Sequence, residues 1–279
     1  MLFVIMEYSS EISIGLRRNP KEALTAALSK LTTTIEIPEN LVQVLIKPSI
    51  YDPSLVGNTE PELVRAISRT FDNLGPISII ESDNPIRTTH EAFEKVGYNN
   101  LVRDNVKLVN LSEIPQQLFK MSGHHFETLE MPSLLSEPKF FVNVPTVKLE
   151  PEICTVGGGI KNLFGLIPER DKRHYHSQID DVLLDLLIAF RPHLTIMDIT
   201  TMVIGDRETG VTKDIGAVIV GTDPVAVDAF CADLLGVDPM KISHLKNAFE
   251  LGLGEILVDR IRISGTEAQR TKLFELCRL

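Results

Sequence analysis

The sequence predicts an α/β protein: a mostly parallel sheet with helices on both faces, as a single domain over 1–279 or divided into two lobes. Three observations predict it. Strand-like apolar runs alternate with helix-like segments along most of the chain, the pattern of a sheet covered by helices. Residues 42–80 read as a complete βαβ unit, whose crossover is right-handed. The chain has 279 residues, 43 % of them hydrophobic, enough to fill a sizeable core without staples.

The elements follow in order. Leu2–Met6 reads as a strand; it is short, has no basic region before it and no cleavage pattern after it, so it does not read as a signal peptide. Asn19 caps a helix, with Pro20 at the first position and an apolar face from Ala23 to Leu31. Val42–Ile46 is a buried strand. After the loop 48–58, Thr59 caps a helix to about Leu74, with Leu63, Ile67 and Phe71 at spacing four. Gly75-Pro76 ends it, and Ile77–Ile80 is the next strand. Thr88–Gly97 reads as a short helix, Val106–Val109 as a strand and Ile114–Met121 as another short helix. Ser122–Pro138 shows no clear pattern, so residues 98–138 stand as an insertion, a lid or a subdomain. Lys139–Val144 is a strand between prolines. Ser177 caps a helix to Phe190, with Asp180 and Asp181 in the first turn and a nearly all-apolar Val182–Ile188, hence burial on more than one face. Leu194–Ile199 and Gly216–Val220 are strands. Asp223 caps and Pro224 starts a helix to Leu235, with Gly236 placed to end it. A helix over Met240–Leu251, a strand at Arg260–Ile263 and a helix from Glu267 complete the chain.

A net charge of −10 and a pI near 5.2 argue against a nucleic-acid partner, which needs a basic surface. No segment approaches the roughly 18 uninterrupted apolar residues of a membrane span. Cys154, Cys231 and Cys277 form no CxxC pair, so neither a disulfide framework nor a cysteine-only metal site is encoded. That usage suits the cytoplasm. An oligomer remains open.

The segment hardest to explain as packing is Gly157-Gly158-Gly159-Ile160-Lys161-Asn162. Three consecutive glycines cost more backbone entropy than any other triplet. They are worth keeping where backbone N–H groups must approach a ligand, and such concave runs favour anions. Lys161 adds a point charge, and Asn162 adds a donor and an acceptor. The stretch is neither a Walker A loop nor a dinucleotide fingerprint. The competing reading is a flexible surface turn.

The strands end in Lys47, Glu81–Asn84, Asn143, Asp198 and Asp223. Ligands of open α/β sheets bind outside the carboxyl ends of the strands, so these groups converge if the strands are parallel. Lys47 can neutralise an anion; Asp83, Asp198 and Asp223 can hold a divalent cation or orient a hydroxyl. Each also has a purely structural reading: Asp223 as a helix cap, Asp198 as a loop cap, Lys47 as a solvated charge. Asp228, inside the last of these helices, faces solvent, meets a partner or serves a site. His174 and His176, at i and i+2, are badly placed to ligate one metal together but suit proton transfer. The basic segment Glu169–His176 reads as a phosphate clamp, a mobile lid or an exposed loop.

Val44-Leu45-Ile46-Lys47-Pro48, Asn143-Val144-Pro145-Thr146-Val147-Lys148, Gly159-Ile160-Lys161-Asn162-Leu163-Phe164-Gly165, His174, Asp198, the Thr222–Asp228 segment and Gly252-Leu253-Gly254-Glu255 together resemble the domain-of-unknown-function family 362. The resemblance implies a fold and candidate positions rather than a reaction. Many members carry an added ferredoxin-like segment with CxxC spacing. This chain lacks it, so an iron-sulfur cluster is not expected. Ser49 stands where members often have Asn, and Leu149 where a His often lies.

The expected site therefore comprises His174, His176, Lys148 and Asp228 as catalytic groups. Lys47, Asn143, Gly157, Gly158, Gly159, Lys161, Asn162 and Asp223 are its ligand-binding groups. Metal ligands are unassigned, and a divalent cation is the candidate cofactor. The expected guest is a small phosphate- or carboxylate-bearing molecule, and the chemistry proton transfer or metal-assisted. A non-catalytic carrier or sensor is the main alternative, and a redox partner protein a further one.

Overall fold

The computed structural model describes residues 8–150, 155–204 and 211–277. In chain order the elements are β1 (Ser10–Leu16), α1 (Pro20–Leu28), β2 (Gln43–Pro48), α2 (Pro61–Thr70), β3 (Ile77–Glu81), α3 (Thr89–Val96) and β4 (Val106–Asn110). Then come β5 (Gln116–Lys120), β6 (Thr128–Pro132), β7 (Lys139–Val144), β8 (Lys148–Glu150), β9 (Thr155–Gly157), α4 (Gly159–Asn162) and α5 (Ile179–Ala189). The rest are β10 (Leu194–Ile204), β11 (Val211–Gly221), α6 (Pro224–Leu234), α7 (Ser243–Glu250), β12 (Ile261–Ser264) and α8 (Glu267–Cys277).

Among the described residues the main sheet has eight strands in the order β12-β1-β11-β10-β7-β2-β3-β4. All pair in parallel except β11, which runs against both β1 and β10. The side-chain period of two sends successive residues to opposite faces. Val44 and Ile46 join one core with α1, α2 and α3, while Leu45 between them joins another with α4 to α8. Phe140, Phe141 and Val142 of β7 sort the same way. The sheet is thus mostly parallel with helices on both faces. A Cβ on Gly15 of β1 would stand 1.8 Å from the Ala23 carbonyl oxygen, so a glycine is what lets α1 lie directly on the sheet.

Several expected helix ends are as the sequence implies. Asn19 accepts from the Lys21 and Glu22 N–H groups, Thr88 and Glu91 form a capping box, and Gly97 ends α3 in the left-handed conformation. Others differ. The Thr59 hydroxyl turns away from α2, accepting from Ser49 N at 2.8 Å and donating to Val144 O at 2.7 Å; Glu60 occupies the cap position without a side-chain bond. Ser177 lies inside a 3₁₀ turn, Arg173–Gln178, that leads into α5, so it does not cap. The Leu2–Met6 strand expectation and Cys154 fall outside the described residues, and the first described strand, β1, is one the sequence reading did not identify.

Ile114–Met121, expected as helix, is largely strand β5, paired antiparallel with β6. Ile114, Leu118 and Met121 fall at helical spacing, yet Leu118 is 65 % exposed while Met121 is buried. A thin two-stranded ribbon buries too little for its own period to show. The 98–138 stretch accordingly divides: β4 belongs to the main sheet, and 116–132 is a hairpin. Its tip is tied down by Asp185 of α5, which accepts from the backbone N–H groups of His124, His125 and Phe126 at 3.1, 2.8 and 2.7 Å and from the Ser122 hydroxyl. These four donors hold the Asp185 carboxyl below its usual range against the effect of burial.

Candidate site at the carboxyl edge of the sheet

β2, β3 and β7 lie side by side in parallel, and Lys47 pairs in register with Asn143. The carboxyl ends of β2 and β7 therefore bring these two sequence-expected residues together. Lys47 is 1 % exposed. Its ammonium donates to Glu81 Oε1 at 2.6 Å and to Pro48 O at 3.0 Å. Burial pushes its pKa down against the attraction of Glu81. A Cβ on Gly165 would stand 2.8 Å from the Lys47 nitrogen, so the glycine leaves room for the ammonium.

Around Glu81 gathers a cluster the sequence reading largely missed. The Arg87 guanidinium stands 3.8 Å from Glu81 Oε2 and donates to the carbonyls of Ile50, Tyr51 and Ser82. Lys172 donates to Ser82 Oγ at 3.0 Å and to the carbonyls of Asp83 and Glu169 at 2.9 and 2.7 Å. Its pKa falls to about 8, chiefly through burial, with Lys47 and Arg87 adding repulsion and Glu81 opposing. Lys172 sits in the basic segment that the sequence offers as a clamp, a lid or an exposed loop; at this residue the segment is buried. Arg87 carries no local sign, since its partners are backbone carbonyls, two of them, Ile50 and Tyr51, from a loop more than thirty residues earlier.

The glycine turn is built differently from the expectation. Asp228 of α6, fully buried, accepts from Gly159 N at 2.6 Å and from Ile160 N at 2.9 Å. These N–H groups, expected to face a guest anion, face an internal carboxylate. A Cβ on Gly158 would lie 2.6 Å from Asp228 Oδ1 and one on Gly159 3.1 Å from it. The φ of Gly158 is −151°, open to any residue, so the demand is for space. Gly157, the last residue of β9, pairs with Lys148 of β8. Burial raises the Asp228 pKa to about 6, against the two N–H bonds. Asn143 donates to Gly159 O at 2.8 Å, and Asn162 donates to Asn143 Oδ1 at 2.8 Å and to Lys47 O at 3.1 Å. This amide chain ties the turn to the ends of β2 and β7.

Lys161 projects from the turn, half-buried. Its ammonium lies 4.6 Å from the centroid of the Phe164 ring, a cation–π distance, and among the described residues it has no hydrogen bond or ion pair. It is close enough to Lys47 to repel it. His176, also half-buried, packs on Phe164 with centroids 5.6 Å apart. His174 is exposed, 3.8 Å from Glu169 and against Tyr175, so the two histidines part company as their i, i+2 spacing implies. Lys148, buried, donates to Ser49 Oγ at 3.1 Å, two residues from Lys47.

Asp223 does not join them. Because β11 alone runs backwards, its carboxyl end lies at the opposite edge of the sheet. There Asp223 accepts from Val225 N and Ala226 N at 2.9 and 3.2 Å as the cap of α6, and from Ser10 Oγ and Glu255 N. Asp83 accepts from Thr89 N at 2.7 Å at the start of α3, and Asp198 accepts from Glu60 N and Thr200 N at 2.8 and 2.9 Å; burial raises the Asp198 carboxyl. Each aspartate fastens a different segment. Among the described residues no three His, Cys, Asp or Glu gather as a metal-ligand set. A polar cavity of about 220 Å³ opens beside Ser10 and Thr222, at the Asp223 edge rather than the lysine edge.

Fold and site define the class: an α/β protein with a basic cluster at the carboxyl edge of its parallel strands and a glycine turn closed on an internal aspartate. The chain belongs to the family described as Domain of unknown function (DUF362), which it matches over residues 44–233, from β2 into α6 and thus across the whole lysine edge. It is also similar to a thylakoid-associated protein of Synechocystis sp., 23 % identical over 259 residues that span 86 % of this chain and 80 % of that protein. No solved structure matches the chain. Among the described residues no helix is long and apolar enough to cross a membrane.

Proposed function

We propose that the protein binds a small anionic molecule, bearing a phosphate or a carboxylate, at the carboxyl edge of β2, β3 and β7. The observation that carries this reading is Lys161: a half-buried ammonium with no carboxylate partner among the described residues, beside a cluster already rich in buried cations. In a chain of net charge −10, such a local excess draws anions to one place. His176 on the same Phe164 ring supplies a group able to move a proton near neutrality. Proton transfer on the bound molecule is thus the chemistry this equipment offers. The Asp228 carboxylate favours a second reading, a carrier or sensor, because it takes the two backbone N–H groups that would stabilise a developing oxyanion.

Binding is tested by following the amide spectrum of the turn 157–162 during titration with inorganic phosphate and acetate. Saturable shifts there, lost in Lys161→Ala, support the site, and shifts scattered over the surface refute it. His176→Gln then separates the readings. Turnover lost with affinity intact supports an enzyme, whereas affinity lost with no turnover in the parent protein supports a carrier.

A further inference from the structure

We infer that the guest of this site carries two negative charges: a phosphate dianion, free or as the head of a monoester, rather than a single carboxylate. The inference rests on the anion-binding reading above and narrows it. Among the described residues the ions grouped about Glu81 are Lys47, Arg87 and Lys172, all buried, and the half-buried Lys161, against two carboxylates, Glu81 and Asp83; Lys148 at Ser49 and Asp228 behind the turn add one charge of each sign and leave that balance unchanged. Within this described set two positive charges have no counter-charge. Taking an ion out of water is costly even after relaxation, and folded proteins offset that cost with opposite charge.

The surrounding bonds do not supply it. Arg87 and Lys172 donate mainly to the backbone carbonyls of residues 50, 51, 82, 83 and 169, dipoles that solvate a cation without cancelling it. The neighbouring acids are committed outward: the Glu169 carboxylate accepts from the Tyr175 hydroxyl and faces His174, and Asp171 pairs with Arg173. A monoanion against Lys161 would leave one charge over. A phosphomonoester above its second pKa, near 6, balances the cluster, as does inorganic phosphate in its dianionic form. The buried cations then act as a fixed field behind Lys161, favouring the dianion over a monoanion of the same shape.

The test is calorimetric titration of the full chain at pH 7.5 and low salt with four probes: phenyl phosphate as the dianion, inorganic phosphate as a mixture in which the dianion predominates, and dimethyl phosphate and acetate as monoanions. A dianion is expected to bind at least about tenfold tighter than either monoanion. Lys161→Ala should abolish that preference, while Arg262→Ala, at the opposite edge, leaves it intact. Binding of phenyl phosphate identifies a monoester head, and binding of inorganic phosphate alone identifies the free ion; both support two charges. Monoanions binding as tightly as dianions, with Lys161 still required, overturns the two-charge inference and leaves the anion site standing. No binding by any probe, or binding indifferent to Lys161, removes both.

Discussion

The Asp228 carboxyl provides a stability measurement with a calculable size. Its pKa in the fold is about 6 against an ordinary 3.8, because desolvation outweighs the two N–H bonds it accepts. A raised folded value means that its contribution to stability is full below pH 3.8 and is lost as pH rises through 6. Between those limits the unfolded chain has released the proton while the fold still holds it. Stability then falls by about 1.4 kcal/mol per pH unit, or ~3 kcal/mol in all, and levels off above 6. Asp228→Asn removes the titration. Its amide oxygen satisfies one of the Gly159 and Ile160 N–H groups and its NH₂ confronts the other, a pH-independent cost of about 1–3 kcal/mol. Urea denaturation of both proteins from pH 3.5 to 8, extrapolated to water, isolates the linkage, since the remaining groups titrate alike in each. The parent's advantage over Asp228→Asn should shrink by ~2.5 kcal/mol between pH 4 and 7. A difference that stays constant over that span would mean that Asp228 is ionised throughout and that the N–H bonds outweigh burial.

Three further outcomes follow from the same geometry. Gly158→Ala should destabilise by about 1–3 kcal/mol through overpacking, and calorimetric melting should show less than the additive loss when it is combined with Asp228→Ala, because the clash is with that carboxylate. Lys47→Ala, which leaves Glu81 buried without its closest cation, should cost about 3–5 kcal/mol in guanidinium denaturation. Asp223→Ala should cost about 1–2 kcal/mol as a lost helix cap and leave phosphate titration at the lysine edge unchanged; weakened phosphate binding would contradict its assignment to the far edge.

The legible parts of the chain were those where local chemistry and tertiary outcome agree. Asn19-Pro20, Thr88 with Gly97, and Asp223-Pro224 announce helix ends because the cap bonds are made within three residues. The residues 42–80 unit was legible because both strands are buried on both faces and read as continuous apolar runs. Lys47, Asn143, Asn162 and the glycine turn could be singled out for their types and positions at strand ends, and the structure does join them. What the turn holds could not be read, since Asp228 reaches it from 68 residues further along the chain. The direction of β11 was equally hidden: nothing within a strand states which way it runs, and one reversal carries Asp223 away from the lysines. Arg87 escaped because its hydrogen bonds go to backbone carbonyls, which every residue has, and Lys172 was legible only as one charge of a basic segment, not as the buried one.

That single reversed strand has a consequence for how the protein can change. It carries Asp223 to a rim it shares with Ser10, Glu11, Glu255 and Arg262, while Lys47, Arg87, Lys161 and Lys172 stay with Glu81 and Asp83 on the other, so the two rims, one weighted to acids and one to bases, face away from each other. Substitutions can accumulate on the acidic rim, altering which surfaces it meets, while the electrostatic potential at the basic rim stays as it was. A two-ended molecule of this kind can acquire a new neighbour without retuning its old guest.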